Sequence, residues 1–204
     1  MTSRSLADVA VPASPAPVPY TLVTITAGLR QPSSTRLLAD RLTEAATSEL
    51  HLAEIELSTL TVELRDHAHD IVDALLTGRT NGSLAGAIAA VTDADALIAV
   101  TPVFTAAYSG LFKSFVDILD KDSLAGRPVL LGATGGSPRH QLVLEHSLRP
   151  LFASLRADTV PTAVFAAPED WGPDGEDRLT GRIGRAAGEL AARLHARARL
   201  PRTL

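Results

Sequence analysis

Tyr20-Thr21-Leu22-Val23-Thr24-Ile25-Thr26-Ala27-Gly28-Leu29-Arg30-Gln31-Pro32-Ser33-Ser34-Thr35-Arg36-Leu37-Leu38 is the stretch on which the fold turns. Its first seven residues are β-branched, apolar or aromatic and carry no charge, which suits a strand buried on both faces. Ala27-Gly28 closes that strand. A hydroxyl-rich loop then leads to Ser33 or Ser34, either of which can cap a helix in which Leu37, Leu38, Leu42, Ala45 and Ala46 recur at helical spacing as far as Leu50. A buried strand passing through a short loop into an amphipathic helix is the opening of a βαβ unit.

The same alternation continues along the chain. It predicts a short strand near 52–57, helical stretches over 70–77 and 83–92, and a strand at Ala96-Leu97-Ile98-Ala99-Val100. An amphipathic segment follows through Leu111, Phe115 and Ile118, then a strand at Pro128-Val129-Leu130-Leu131-Gly132-Ala133. A helix over 141–155, a strand near 160–165 and a long Arg/Ala/Leu helix from about 177 to 199 complete the pattern. Five strands separated by helices imply parallel pairing through right-handed crossovers. The expected fold class is therefore α/β, a three-layer doubly wound domain around a five-stranded parallel sheet. Residues 19–204 form this domain. Residues 1–18, with Pro12, Pro15 and Pro17 among small side chains, have no periodic apolar face and read as a disordered leader.

Composition removes several functions. The 204 residues carry 19 Lys+Arg against 23 Asp+Glu, a net charge of −4, so there is no positive field for nucleic acid. A chain of this size buries about 70% of its unfolded surface, enough for one core. No run approaches the roughly 18 apolar residues of a membrane span, and the start lacks the apolar centre of a signal peptide. A cytoplasmic protein without a membrane partner is expected. With no cysteine, disulfides, thiolate nucleophiles and Cys-held zinc or iron–sulfur groups are excluded, and redox chemistry would need a bound cofactor. His67 and His69 are two apart, on different faces of a helix, and read as solvated residues with no metal role. The arginines of the last helix, Arg182, Arg185, Arg193, Arg197 and Arg199, read as a solvated face.

In doubly wound sheets ligands bind beyond the carboxyl ends of the strands, where strand order reverses. Three loops follow such ends. After the first strand, Arg30, Ser33, Ser34 and Thr35 surround a helix N-terminus, where free N–H groups and hydroxyls suit a phosphate. Neither G-x-G-x-x-G nor a P-loop pattern fits, which favours a single monophosphate. After the third strand, Thr101-Pro102-Val103-Phe104-Thr105-Ala106-Ala107-Tyr108-Ser109-Gly110-Leu111-Phe112-Lys113 sets small and hydroxyl residues around aromatics, a surface able to approach a flat ring. Phe104 and Phe112 can serve equally as core. Lys113, one of two lysines, reads as a surface charge. After the fourth strand, Thr134-Gly135-Gly136 leaves backbone amides open to a polar ring edge. His140, a few residues on, is given no catalytic role. A phosphorylated, flat, partly polar heterocycle fits all three loops, and flavin mononucleotide (FMN) is the simplest such molecule.

These residues also carry a family resemblance. Thr101 to Lys113 resembles the T-P-V-Y-x-A-A-Y-S-G-x-x-K signature of NAD(P)H-dependent FMN reductases of flavodoxin-like fold, in particular those that supply two-component monooxygenases. Ala133-Thr134-Gly135-Gly136, with His140, Leu148, Pro150 and Leu151, is similar to their A-T-G-G-x-x-x-H and L-[KR]-P-[VL] segments. With the first loop, the similarity runs roughly from residue 20 to 166. Phe104 stands where tyrosine is usual, so it can pack on a ring but donates no hydroxyl, and the Ser and Arg spacing of the first loop is only approximate. The Gly28 to Asp40 segment further resembles an actinobacterial branch associated with luciferase-like flavin monooxygenases.

The resemblance implies transfer of hydride from NADH or NADPH to FMN, with release of reduced flavin to a partner monooxygenase. No side-chain acid, base or nucleophile is required, because the flavin carries the chemistry. It further implies that Arg30, Ser33, Ser34 and Thr35 hold the phosphate, that Pro102, Val103, Phe104 and Thr105 border the ring, and that Thr134, Gly135 and Gly136 face its polar edge. Tyr108 would modulate flavin exchange or pack across a homodimer or homotetramer interface. Two other readings stand beside this one: a quinone, azo or chromate reductase that retains its flavin, and a flavodoxin-type electron carrier, for which a charge of −4 offers little steering field.

Overall fold

The computed structural model describes residues 19–198. The leader expected over residues 1–18 lies outside them, as does Arg199. The chain runs β1 (Tyr20–Thr26), α1 (Ser34–Leu52), β2 (Leu57–Glu63), α2 (Ala68–Thr77), α3 (Gly82–Asp93), β3 (Ala96–Phe104), β4 (Ala107–Tyr108), α4 (Gly110–Asp117), β5 (Pro128–Thr134), α5 (Arg149–Ser154), β6 (Asp158–Thr159), β7 (Val164–Ala166) and α6 (Pro173–Ala198). The parallel sheet has the order β2-β1-β3-β5, with β6 and β7 together taking the fifth place beside β5. β4 folds back antiparallel on the end of β3. The fold is thus the doubly wound, flavodoxin-like one, and strand order reverses between β1 and β3.

Alternation along the strands fills both layers. Val23, Ile25, Leu97, Ala99 and Leu131 face a core completed by Leu84 and Val91 of α3, Phe112 and Phe115 of α4, and Phe152 of α5. Leu22, Ile98, Val100 and Leu130 face Leu38, Leu42 and Leu50 of α1 and Leu179, Leu190 and Leu194 of α6. Fully buried leucines of this kind each contribute roughly 1.5–3 kcal/mol relative to exposure.

Four expectations need correction. The second strand starts at Leu57, not near residue 52, because α1 continues through Leu50, which is fully buried against the α1–α6 core. β2 is an edge strand with Ser58, Thr59 and Leu60 exposed, so its hydrophobic alternation is weak. The expected helix over 141–155 is broken: a π-helical turn occupies Leu144–Leu148 before α5, whose first turn contains Pro150 and therefore lacks one donor.

The strand expected at 160–165 is two short pieces. Pro161 interrupts the ladder between them, and Arg149 bridges the gap, donating to Thr159 Oγ1, to the Val160 carbonyl and to the Pro161 carbonyl, each at 2.9 Å. Finally, the arginines of α6 are not simply solvated. Arg193 pairs with Asp158 at 2.6 Å, Arg197 donates to the Gly126 carbonyl at 2.6 Å, and Arg182 holds Asp170 at 2.7 Å, tying the helix to the strand ends.

Candidate active site

At the carboxyl ends of β1, β3, β5 and β7 lies an open cavity of about 600 Å³, lined by three separate loops and one residue of a fourth. Its size falls within the usual range of cofactor sites. The first wall is the β1–α1 loop with Leu29, Arg30, Pro32, Ser33, Ser34 and Thr35. Ser33 caps α1, its hydroxyl accepting from the Arg36 N–H at 3.2 Å. The N–H groups of Ser34 and Thr35, ahead of the first intrahelical bond, meet no protein acceptor among the described residues. Gly28 is required here: a Cβ on it would stand 2.1 Å from Ser33 Oγ. Arg30 is exposed and pairs with no carboxylate among the described residues.

The second wall is the extension of β3. Its expected loop is in fact strand as far as Phe104, followed by a two-residue hairpin in which Thr105 and Ala106 have φ of +48° and +64°, the primed twist that short hairpins favour. Pro102, Val103 and Phe104 line the cavity, and Phe104 remains 48% exposed. The hairpin is anchored by the buried Thr101, whose Oγ1 accepts from the Ser109 N–H at 3.1 Å and donates to the Pro102 carbonyl at 3.1 Å. Ser109 in turn caps α4 through the Phe112 N–H at 3.2 Å.

The third wall is Thr134, Gly135 and Gly136. Gly135 has no room for a side chain, since its Cβ would stand 2.8 Å from Cζ of Phe165, whereas Gly136 opens on empty space. Beneath the floor, the buried hydroxyls of Thr35 and Thr134 share a hydrogen bond of 2.8 Å that joins the first wall to the third.

Ten of the twelve residues expected to contact a cofactor therefore line one cavity. Thr105 and Tyr108 do not. Thr105 sits in the exposed hairpin turn, and half-buried Tyr108 leans on Phe112, with ring centroids 6.3 Å apart. Phe112 itself is core. Lys113 pairs with Asp117 at 2.6 Å on the outer face of α4, and His140 is exposed outside the cavity. His67 Nδ1 lies 3.3 Å from Ser83 Oγ, and no cluster of three or more metal-ligating side chains occurs among the described residues. Leu29, Pro32 and Pro168 complete the lining and were not foreseen. The first two lie inside a loop already singled out. Pro168 has no sequence signal, because it arrives only through the pairing of β7 with β5.

The donor set suits FMN. Free N–H groups, a hydroxyl and an unpaired guanidinium sit at one end, where a dianionic phosphate would be held. Pro102, Val103 and Phe104 make an apolar wall; of the two glycines expected to leave their amides open, Gly135 donates its N–H to the Ala166 carbonyl at 3.1 Å, which leaves that of Gly136 for a polar ring edge.

Comparison with known proteins agrees with this reading. The family model for NADPH-dependent FMN reductases matches residues 20–172. An FMN reductase (NADPH) of Pseudomonas aeruginosa is 35% identical over 153 residues, which is 75% of this chain and 80% of that protein. The NADH-dependent FMN reductase SfnF of Pseudomonas fluorescens is 37% identical over 153 residues, covering 75% and 79%. An oxidoreductase from Corynebacterium diphtheriae superposes with a TM-score of 0.83 at 47% identity, over 86% of this chain and 97% of that one. No helix among the described residues is long and apolar enough to cross a membrane. The family model and these relatives show that the chain belongs to the NADPH-dependent FMN reductase family, oxidoreductases that use reduced nicotinamide nucleotide and FMN.

Proposed function

We propose that this protein reduces FMN as an exchangeable substrate and delivers the reduced flavin to a partner flavin-dependent monooxygenase. The observation that carries exchange is the openness of the ring wall. It consists of Pro102, Val103 and two glycines, and Phe104, the one aromatic among the described residues of the lining, is half exposed with no described aromatic opposite it. A ring held on one side by small residues is bound less firmly than one stacked between two aromatics, since each such pair adds about 0.5–1.5 kcal/mol beyond burial. The partner is supported by the sequence resemblance to reductases of two-component systems.

When bound, FMN supplies hydride acceptance from the nicotinamide; the chain supplies position. Arg30, the Ser34 and Thr35 N–H groups and the hydroxyls of Ser33 and Ser34 fasten the phosphate. Pro102, Val103 and Phe104 would border the ring, and Thr134 and the Gly136 N–H would face its polar edge, while Gly135, whose N–H is spent on the Ala166 carbonyl, would leave room there by lacking a side chain. Tyr108, on the returning strand of the hairpin, would act on flavin retention or on homodimer or homotetramer packing through the segment that carries Phe104. The active protein is read as a cytoplasmic homo-oligomer.

The test is anaerobic oxidation of NADH and NADPH with and without added FMN. Turnover that scales with free FMN and bleaches it stoichiometrically supports an exporting reductase. Turnover on tightly retained flavin that needs added quinone, azo dye or chromate would replace this reading with the flavin-retaining one. Flavin binding without nicotinamide oxidation would leave an electron carrier.

A further inference from the structure

Among the described residues that line the cavity, Pro168 alone belongs to none of the three ligand loops, and behind it lies a half-buried ion pair. Asp170 is 9% exposed. One carboxylate oxygen accepts from the Ala167 N–H at 2.8 Å and the other from Arg182 Nη2 at 2.7 Å. The same Arg182 nitrogen donates to the Phe165 carbonyl at 3.2 Å. Asp170 and Arg182 thus grip Phe165–Ala167 from both ends, just before Pro168.

That segment is coupled to the glycine wall twice. The Gly135 N–H donates to the Ala166 carbonyl at 3.1 Å, and the Phe165 ring occupies the space a Gly135 side chain would need. On the far side the turn is packed without slack, because a Cβ on Gly175 would stand 2.2 Å from the Glu169 carbonyl oxygen. Arg41 of α1 completes the arrangement, stacked 5.7 Å above the Trp171 ring and paired with Glu176.

We propose that Asp170 and Arg182 are positioning residues for flavin binding, a latch that sets Pro168 at the cavity rim and presses Phe165 beneath Gly135. The proposal rests on the cavity being the FMN site. Neither residue lines the cavity. Breaking the latch lets the 165–171 turn relax and loosens the glycine wall at Gly135 and Gly136, so flavin affinity falls while the transfer step is less affected.

Trp171 is the single tryptophan and lies inside the turn, so its fluorescence reports the latch independently of activity. The experiment compares wild type with Asp170→Ala, Arg182→Gln and Arg182→Lys, using tryptophan emission, FMN titration and steady-state reduction of FMN by NAD(P)H. Arg182 is partly exposed, so its variants serve if Asp170→Ala fails to fold. The expected result for Asp170→Ala and Arg182→Gln is red-shifted tryptophan emission, a rise of about tenfold in the Kd and KM for FMN, and a smaller fall in kcat, with Arg182→Lys restoring most of the affinity. Altered Trp171 emission with unchanged FMN affinity would overturn the latch and leave the site assignment intact. Absence of FMN binding by the wild type would remove the site assignment and the latch together.

Discussion

The hydrogen bond between Thr35 and Thr134 is a demanding test of how this cavity is built. Both residues are almost fully buried, and their hydroxyls, 2.8 Å apart, link the start of α1 to the end of β5. Thr35→Val removes one partner and leaves the almost fully buried Thr134 hydroxyl without its bond, a cost of about 1–3 kcal/mol. Thr134→Val does the same in reverse. The double variant strands neither group and replaces both by methyls of similar shape, so its cost should fall well below the sum of the two singles. A coupling of about 1 kcal/mol is expected. For a chain of this length 1 kcal/mol corresponds to roughly 2–4 °C in Tm. Urea unfolding of the four proteins at one pH, with m-values checked for constancy, measures the coupling directly. Single costs that sum to the double within about 0.3 kcal/mol would show that the two walls are not joined by this bond.

Three further outcomes are expected. Arg30→Ala should raise the KM for FMN by about tenfold while leaving riboflavin, which lacks the phosphate, unaffected; equal losses for both flavins would remove Arg30 from the phosphate end. Gly28→Ala should displace Ser33 from its capping position, lowering stability by about 1 kcal/mol and weakening FMN, as thermal melts and flavin titration would show. Acid should weaken the Asp170 latch. Burial works against the Asp170 charge, but the Ala167 N–H and Arg182 outweigh it and hold the carboxyl below its ordinary range. A depressed folded value means stability that is present above the unfolded pKa of about 3.9 and is lost as pH falls through the lower folded value. The stability advantage of wild type over Asp170→Asn should therefore shrink as the solution is acidified below about pH 4, and an advantage that grows instead would contradict the assignment.

The layering and the location of the site are both legible in the sequence. Period-two and helical spacings are local properties of the backbone, so β1, β3, β5 and the long helices could be read directly, and with them the rule that ligands gather at strand ends. Residues whose role is carried by the loop they belong to, such as Ser33, Pro102 and Gly136, were legible for the same reason. Edge and interrupted elements were not. β2 buries little, and β6 and β7 are separated by Pro161, so neither advertises a hydrophobic period, and both exist because neighbouring strands offer them partners. That Phe112 is core while Phe104 lines the cavity, that Thr105 and Tyr108 stay out of its lining, and that Pro168 joins it emerges only in three dimensions. Those placements depend on which side of a twisted sheet a hairpin folds to, and on the pairing of β7 with β5 that brings Pro168 to the cavity. Contacts of that kind, between residues distant along the chain, leave no periodic trace in it.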